Sequence, residues 1–165
     1  MIFFLLPLWE KGRISIQLRF HAALGGWPNH QRVVPALELA REVCTGKTPS
    51  VQLVADAIAR AKARPELNAF VTIDEAGAMA AAKRADAGKG KACKPLHGVP
   101  IVIKDNIEVA GLPTTGGTPA LKGYQPKADA PVAKKLRDAG AIVIGKTNMH
   151  ELAFGISGFN PAFNT

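Results

Sequence analysis

Two short apolar runs constrain the fold of this chain most strongly. Residues 101–103 and 141–144 are continuous runs of branched or small apolar side chains. Runs of this kind are typical of strands that are buried on both faces of a sheet. Between them, Pro131 begins a helical pattern and Gly140 ends it. Strand, helix and strand in this order predict a parallel crossover and an α/β fold.

Regular periodicity begins upstream of these runs, at Pro35. Apolar residues at helical spacing predict a first helix from Pro35 to Gly46. A second helix is predicted up to residue 64, with Thr48 as its cap and Pro49 in its first turn. Both helices have one apolar and one polar face, so each is expected to pack on a core.

The middle of the chain predicts a strand, a helix and a long loop. Residues 67–73 are rich in β-branched and aromatic side chains, which favour a strand. Asp74 is placed to cap a helix over residues 75–87. Glycines and prolines recur throughout residues 111–129, so a loop is expected there. Long loops of this kind often line functional sites.

Composition and charge exclude several classes of function. Hydrophobic residues make up 47% of the chain and charged residues 21%, as in ordinary globular proteins. The formal net charge is +8, but the basic residues are scattered and no aromatic residues interleave with them. Binding to nucleic acid or to a membrane is therefore not expected. A strongly salt-dependent interaction with DNA or anionic vesicles would favour that alternative.

The two cysteines predict neither a disulfide framework nor a zinc site. Cys44 and Cys93 are far apart in sequence, without a C-x-x-C pair or a histidine cluster. Cys44 falls in an apolar helical stretch, where a free cysteine packs as a small hydrophobic residue. We therefore expect both cysteines to be reduced and the protein to be cytoplasmic.

Residues 1–34 lack the periodicity of the rest of the chain. Residues 1–9 are the most apolar run, but they lack the basic start and cleavage site of a secretion signal and are too short to span a bilayer. We expect an irregular extension over residues 1–34, and our hypothesis is that its start codon was assigned too early. The alternative is an anchor that lies in a membrane interface.

Lys104 is the most informative candidate for chemistry. It follows the apolar residues 101–103 and precedes Asp105 and Asn106. If its stem lies in the core, desolvation disfavours the ammonium, which is how a lysine becomes a base near neutral pH. The alternative is that Lys104 extends from the strand end to water or pairs with Asp105.

Other motifs point less clearly to chemistry. Gly140, Gly145 and Lys146 fit the spacing of a phosphate-binding loop, but an apolar strand occupies the place of the glycine-rich turn, so nucleotide binding is not predicted. No second histidine lies four residues after His150, so no metal site is predicted. Ser157 does not complete a G-x-S-x-G turn and is interpreted as a turn residue.

Four segments together resemble the amidase signature family. Residues 95–106 are similar to the block that carries this family's catalytic lysine, and residues 111–117, 129–132 and 140–151 match further blocks in order and spacing. The resemblance covers about residues 35–165. It implies the amino-terminal part of an α/β fold in which helices cover a mixed sheet.

The resemblance also implies an activity and a set of site residues. Members of the family hydrolyse amides with a serine nucleophile, a second serine that relays a proton, and an unprotonated lysine, which would be Lys104 here. Gly116, Gly117, Met149 and Ser157 would contact a small-molecule amide substrate. The family's reaction requires no cofactor and no metal.

The sequence departs from the family at its end. It stops at Thr165 before the family's Gly-Gly-Ser-Ser-Gly-Gly block and before the nucleophile, and Ser157 occupies neither position. We therefore expect residues 35–165 to be a truncated part of an amidase domain, inactive alone, with exposed strand edges. Such edges favour association with a complementing chain or a second copy.

Two alternatives to a part of a small-amide hydrolase stay open from the sequence. One is a non-catalytic interaction fragment, and the other resembles the A subunit of an amidotransferase. Residues 148–155 look most like amidases that act on aryl or indole acetamides.

Overall fold

The computed structural model describes residues 8–10, 13–15 and 35–163. Strands β1 (Leu8–Glu10) and β2 (Arg13–Ser15) pair in antiparallel orientation. The rest of the predicted extension lies outside the described residues. The hypotheses of a start codon assigned too early and of an interfacial anchor therefore stay predictions.

After two consecutive helices, the other elements alternate between strands and helices. They are α1 (Ala36–Thr45), α2 (Ser50–Lys62), β3 (Phe70–Ile73), α3 (Glu75–Ala87), β4 (Pro100–Lys104), α4 (Pro131–Asp138) and β5 (Ile142–Thr147). Single 3-10 turns occur at Pro65–Leu67, Pro119–Leu121, Glu151–Ala153 and Pro161–Phe163. Each predicted helix and strand is present, with its ends shifted by a few residues at most. None of the helices in the described ranges is long and apolar enough to cross a membrane.

Strand β5 is the centre of a three-stranded mixed sheet. The strand order is β3-β5-β4, with β3 antiparallel and β4 parallel to β5. Helix α4 connects β4 to β5, so the predicted parallel crossover is confirmed. In the register of these two strands, Ile103 lies opposite Lys146 and Lys104 lies opposite Thr147.

The side chains of β5 alternate between the two faces of the sheet, and both faces are covered. On one face, Ile142 and Ile144 pack against apolar residues of α2 and α3, among them Val54 and Ala82. On the other face, the core consists of Val143 with three further residues: Ile103, Val109 and Ala133. The sheet is therefore a buried layer between helices α2 and α3 and the crossover connection.

The cap of α2 differs from the prediction. The backbone N–H groups of Ser50 and Val51 donate to the carboxylate of Asp86 in α3, at 2.7 and 3.0 Å. Thr48, the predicted cap, instead donates its hydroxyl to Glu42 at 3.0 Å. A carboxylate on a neighbouring helix therefore supplies the acceptor that the first turn of α2 needs.

The reduced state predicted for the cysteines is wrong for this structure. Cys44, at the end of α1, and Cys93, after α3, form a disulfide with a Cα–Cα distance of 5.8 Å. The backbone N–H of Gly90 also donates to the Cys44 carbonyl at 2.9 Å. The 49 residues between the cysteines hid this proximity, which arises only when α1 and α3 come together.

Candidate active site

Lys104 is the last residue of β4, and its side chain is exposed. The next residue, Asp105, is fully buried. Successive side chains of an extended chain point in opposite directions, so the two charged groups diverge at the strand end. Of the two alternatives that the sequence left open, a lysine that extends from the strand end to water describes Lys104 in this structure.

Asp105 pairs with Lys146 of β5 and not with Lys104. Both side chains have 0% exposure, and Nζ of Lys146 lies 3.2 Å from Oδ1 of Asp105. This oxygen accepts no hydrogen bond from the described residues, so the ammonium is the group that compensates its charge. Lys146 Nζ also donates to Thr114 Oγ1 at 2.7 Å and to the Pro113 carbonyl at 3.3 Å.

Burial lowers the pKa of Lys146 below its ordinary value, and the charge of Asp105 opposes this shift. The superficial likeness to a phosphate-binding loop also fails here. The neighbouring Gly145 lies within β5, where the Thr72 carbonyl of β3 leaves no space for a Cβ atom.

The second carboxylate oxygen of Asp105 holds the loop of residues 114–118, named here the glycine loop. Oδ2 accepts the backbone N–H of Thr115 at 2.9 Å and its hydroxyl at 2.5 Å. The Thr115 hydroxyl oxygen then accepts the N–H of Gly117 at 3.1 Å. The contacts form a continuous chain from the Lys146 ammonium to the backbone of Gly117.

Gly116 and Gly117 are buried and adopt left-handed backbone conformations, with φ of 60° and 69°. A Cβ atom on Gly117 would come within 2.9 Å of the Asn160 amide nitrogen. The N–H of Gly116 donates to the Asp105 carbonyl at 3.2 Å, while that of Gly117 is used by Thr115. In this structure the two glycines therefore lie beside the end of β4, and both of their backbone N–H groups already donate hydrogen bonds.

Asn160 joins two of the predicted site residues. Its side-chain amide donates to the carbonyl of Gly117 at 2.7 Å and to that of Met149 at 3.0 Å. Met149 is 4% exposed and Asn160 is 2% exposed. The sequence reasoning missed Asn160, since its partners lie 43 and 11 residues away and no local pattern marks it.

Ser157 lies apart from this network. It is exposed, and its hydroxyl oxygen accepts the N–H of Phe159 at 3.2 Å in a local turn. The structure thus brings together Gly116, Gly117 and Met149 near the end of β4 but shows no contact that links Ser157 to them. Within the described ranges, no group of three or more His, Cys, Asp or Glu residues could hold a metal ion.

Comparison with known proteins identifies the family. The sequence profile of the Amidase family matches residues 52–165. This chain belongs to the Amidase family. The predicted resemblance and the mixed α/β architecture of an amidase are thereby confirmed.

Two curated relatives and one solved amidase show how much of the family's length is present. Mandelamide hydrolase of Pseudomonas putida is 45% identical over 142 residues, covering 83% of this chain and 27% of that protein. The A subunit of the glutamyl-tRNA(Gln) amidotransferase of Rhodopirellula baltica is 41% identical over 125 residues, covering 74% and 25%. A crystal structure of an amidase superposes with a TM-score of 0.70 at 40% identity, covering 78% and 30%. The chain spans about a quarter of the length of these curated amidase relatives.

The residues that follow the site expose an apolar segment, defined here as residues 152–159. Leu152, Phe154, Ile156 and Phe159 are 64, 94, 93 and 61% exposed. Leu152 and Ala153 also have positive φ angles of 50° and 60°, which are uncommon for residues with a side chain. The N–H of Leu152 donates to the Gly116 carbonyl at 2.8 Å, so the segment is connected to the glycine loop.

Proposed function

We propose that this chain supplies the lysine-bearing part of an amide hydrolase in which Lys104 is the base. The observation that carries this proposal is the end of β4, where an exposed lysine directly precedes a buried aspartate that pairs with Lys146. Lys104 is thus presented from a rigid support with its amine free to meet a substrate-side group. Membership of the Amidase family gives this geometry its chemical meaning.

In the proposed reaction, the unprotonated amine of Lys104 takes a proton from a relay serine, which takes one from the nucleophilic serine. The nucleophilic serine attacks the amide carbonyl, and the amine portion of the substrate leaves with a proton. Water then releases the acid from the acyl-enzyme. Both serines come from protein beyond these residues. Protein packed over the exposed end of β4 would also exclude water from the side chain of Lys104.

The proposed substrate is a small aryl acetamide. Mandelamide hydrolase is the relative that supports this class, because mandelamide is a primary amide whose α-carbon carries a phenyl ring. Gly116, Gly117, Met149 and Ser157 are the proposed substrate contacts. The first three lie near the end of β4, which carries Lys104. Whether Ser157 reaches the substrate depends on how the exposed apolar segment is covered. No cofactor or metal is part of the proposal.

A second candidate function is that of an amidotransferase A subunit. The similarity to the Rhodopirellula baltica protein and the exposed apolar segment both favour it, because a component of a complex needs an apolar contact surface. The partner would then be a complementing protein chain. Release of ammonia from glutamine and not from mandelamide would select this candidate.

The proposal is tested by joining residues 1–165 to the remaining part of the Pseudomonas putida mandelamide hydrolase. This hybrid protein contains both serines, and ammonia release from mandelamide measures its activity. Lys104→Met should lower kcat at least about 100-fold, since loss of a general base costs that much or more. Lys127→Met, at another exposed lysine, is the matched control and should keep the activity. Equal rates for the hybrid and its Lys104→Met variant would contradict the proposal.

The compartment forms a further part of the proposal. We place the hydrolase in the cytoplasm, where cellular thiols would act on the Cys44–Cys93 disulfide. Alkylation of free thiols in intact cells measures the state of this pair. A pair that is completely oxidised in cells would point to an oxidising compartment and contradict the cytoplasmic location.

A further inference from the structure

Asp105 directly follows the proposed base Lys104 in sequence, and the Asp105–Lys146 pair takes no part in the proposed reaction. Asp105 is fixed to the sheet through its backbone, since its N–H donates to the Thr147 carbonyl at 3.1 Å. Its carbonyl accepts the N–H of Gly116 at 3.2 Å. The residue next to Lys104 is therefore bound to β5 on one side and to the glycine loop on the other.

A buried carboxylate without a partner would be neutralised, because desolvation of a charge costs several kcal/mol. The Lys146 ammonium, 3.2 Å from Oδ1, supplies the opposite charge at this site. A carboxylate only accepts hydrogen bonds, so Oδ2 can receive both the N–H and the hydroxyl of Thr115. The Asp105 carboxylate thus fixes the direction in which Thr115 donates its hydroxyl.

The direction of this hydroxyl matters for the glycine loop. The Thr115 hydroxyl donates to Asp105, which fixes its oxygen where it accepts the N–H of Gly117. An amide in place of the carboxylate could instead donate to this oxygen, and the hydroxyl would turn to another acceptor. The hydrogen bond from the Gly117 N–H would then lose its alignment.

We propose that Asp105 and Lys146 are positioning residues, which act through Thr115 to hold the glycine loop in one geometry relative to Lys104. This inference rests on the proposed function. The pair does not touch the substrate. It holds the glycine loop beside the reacting amide, so that the Lys104 amine and the substrate carbonyl carbon keep a productive arrangement.

Amide hydrogen exchange on the 165-residue chain tests the structural half of this inference. Thr115→Val should speed exchange of the Gly117 N–H by at least about tenfold, because the acceptor is lost. Asp105→Asn should also speed it, because the Thr115 oxygen is no longer held in place. Thr115→Ser keeps the hydroxyl and should retain the protection. Unchanged protection of Gly117 in Thr115→Val overturns the proposal, even if Asp105→Asn fails to fold.

Asp129→Asn is the matched control for the removal of a carboxylate. Asp129 also accepts a backbone N–H, from Ala110 at 2.7 Å, and pairs with a cation, Arg137, at 2.9 Å. These contacts do not include the glycine loop, so Gly117 should exchange as in the parent chain. Equal acceleration in Asp129→Asn and Asp105→Asn would show a general loss of stability and would overturn the specific role.

Kinetics of the hybrid protein test the functional half. Thr115→Val should lower kcat by about tenfold or more while KM changes less, and Thr115→Ser should restore kcat. A hybrid that depends on Lys104 but whose kcat is the same in Thr115→Val overturns this inference and leaves the proposed function standing. A hybrid whose rate does not depend on Lys104 overturns the proposed function itself.

Discussion

Lys104 and Lys146 lie on neighbouring strands of one sheet, one residue out of register, yet their surroundings are opposite. Lys104 ends the outer strand β4 and extends into water, whereas Lys146 lies in the central strand β5 with no exposed surface. The same side chain therefore has two different environments on adjacent strands. Its place in the sheet decides which one, because Lys146 lies within the central strand whereas Lys104 ends an edge strand.

The largest effect is expected when the buried lysine loses its charge. Lys146→Met should lower the free energy of unfolding by about 3–5 kcal/mol, because Asp105 stays behind as a buried charge without a partner. Lys104→Met removes the same group from an exposed position and should change stability by less than about 0.5 kcal/mol. Urea denaturation of both variants measures the difference, and equal losses would refute the contrast.

Reduction of the Cys44–Cys93 disulfide should have the next largest effect. A bond that joins residues 49 positions apart restricts the unfolded chain, and its loss typically costs about 2–4 kcal/mol. Urea denaturation with and without a dithiol reductant, or of a Cys44→Ser/Cys93→Ser variant, measures it. The loss should be the same in Lys146→Met as in the parent chain, since the disulfide and the ion pair share no residues. A strongly non-additive result would show that the two features are coupled.

One part of the fold could be predicted from the sequence, and another part could not. The helices and the parallel crossover follow from local periodicity, glycines and prolines, so they could be predicted. The Asp86 cap of α2 and the disulfide join residues 35 to 49 positions apart and depend on how the helices pack. The antiparallel pairing of β3 with β5 likewise depends on how the elements pack, which no local pattern shows.

The candidate site shows the same limit. Lys104 was predicted as a residue of interest from the apolar run before it and from the family resemblance. Its exposure was one of two alternatives that the sequence left open, because a lysine after an apolar strand can point to either side of the sheet. Lys146 drew attention for a phosphate-loop pattern, although its role follows from the charge of Asp105, 41 residues earlier in the sequence.

A smaller loss of stability should follow when both members of the ion pair are replaced. Asp105→Asn combined with Lys146→Met leaves no buried charge, and the cost should fall to about 1–3 kcal/mol, which is typical of weakened buried hydrogen bonds. The double variant should thus be more stable than Lys146→Met alone. A double-mutant cycle by urea denaturation measures the coupling, and strict additivity would contradict a direct pair.

The smallest effect is a dependence of stability on alkaline pH. The pKa of Lys146 is lowered in the folded protein, mainly by burial, so the unfolded chain binds more protons between the folded and the ordinary value. The contribution of this residue to stability should therefore rise with pH as the ordinary lysine value of about 10.4 is approached from below. Urea denaturation between about pH 8 and pH 10 should show this rise in Lys104→Met and lose it in Lys146→Met. The same pH profile in both variants would contradict the assignment.

The most direct test of the division between a reacting and a structural lysine is the rate of ammonia release from mandelamide by the hybrid protein that carries Lys104→Met. The account predicts a folded protein, with the stability of its parent, whose kcat is lower by at least about 100-fold. A Lys104→Met hybrid that is stable and as fast as its parent would contradict it.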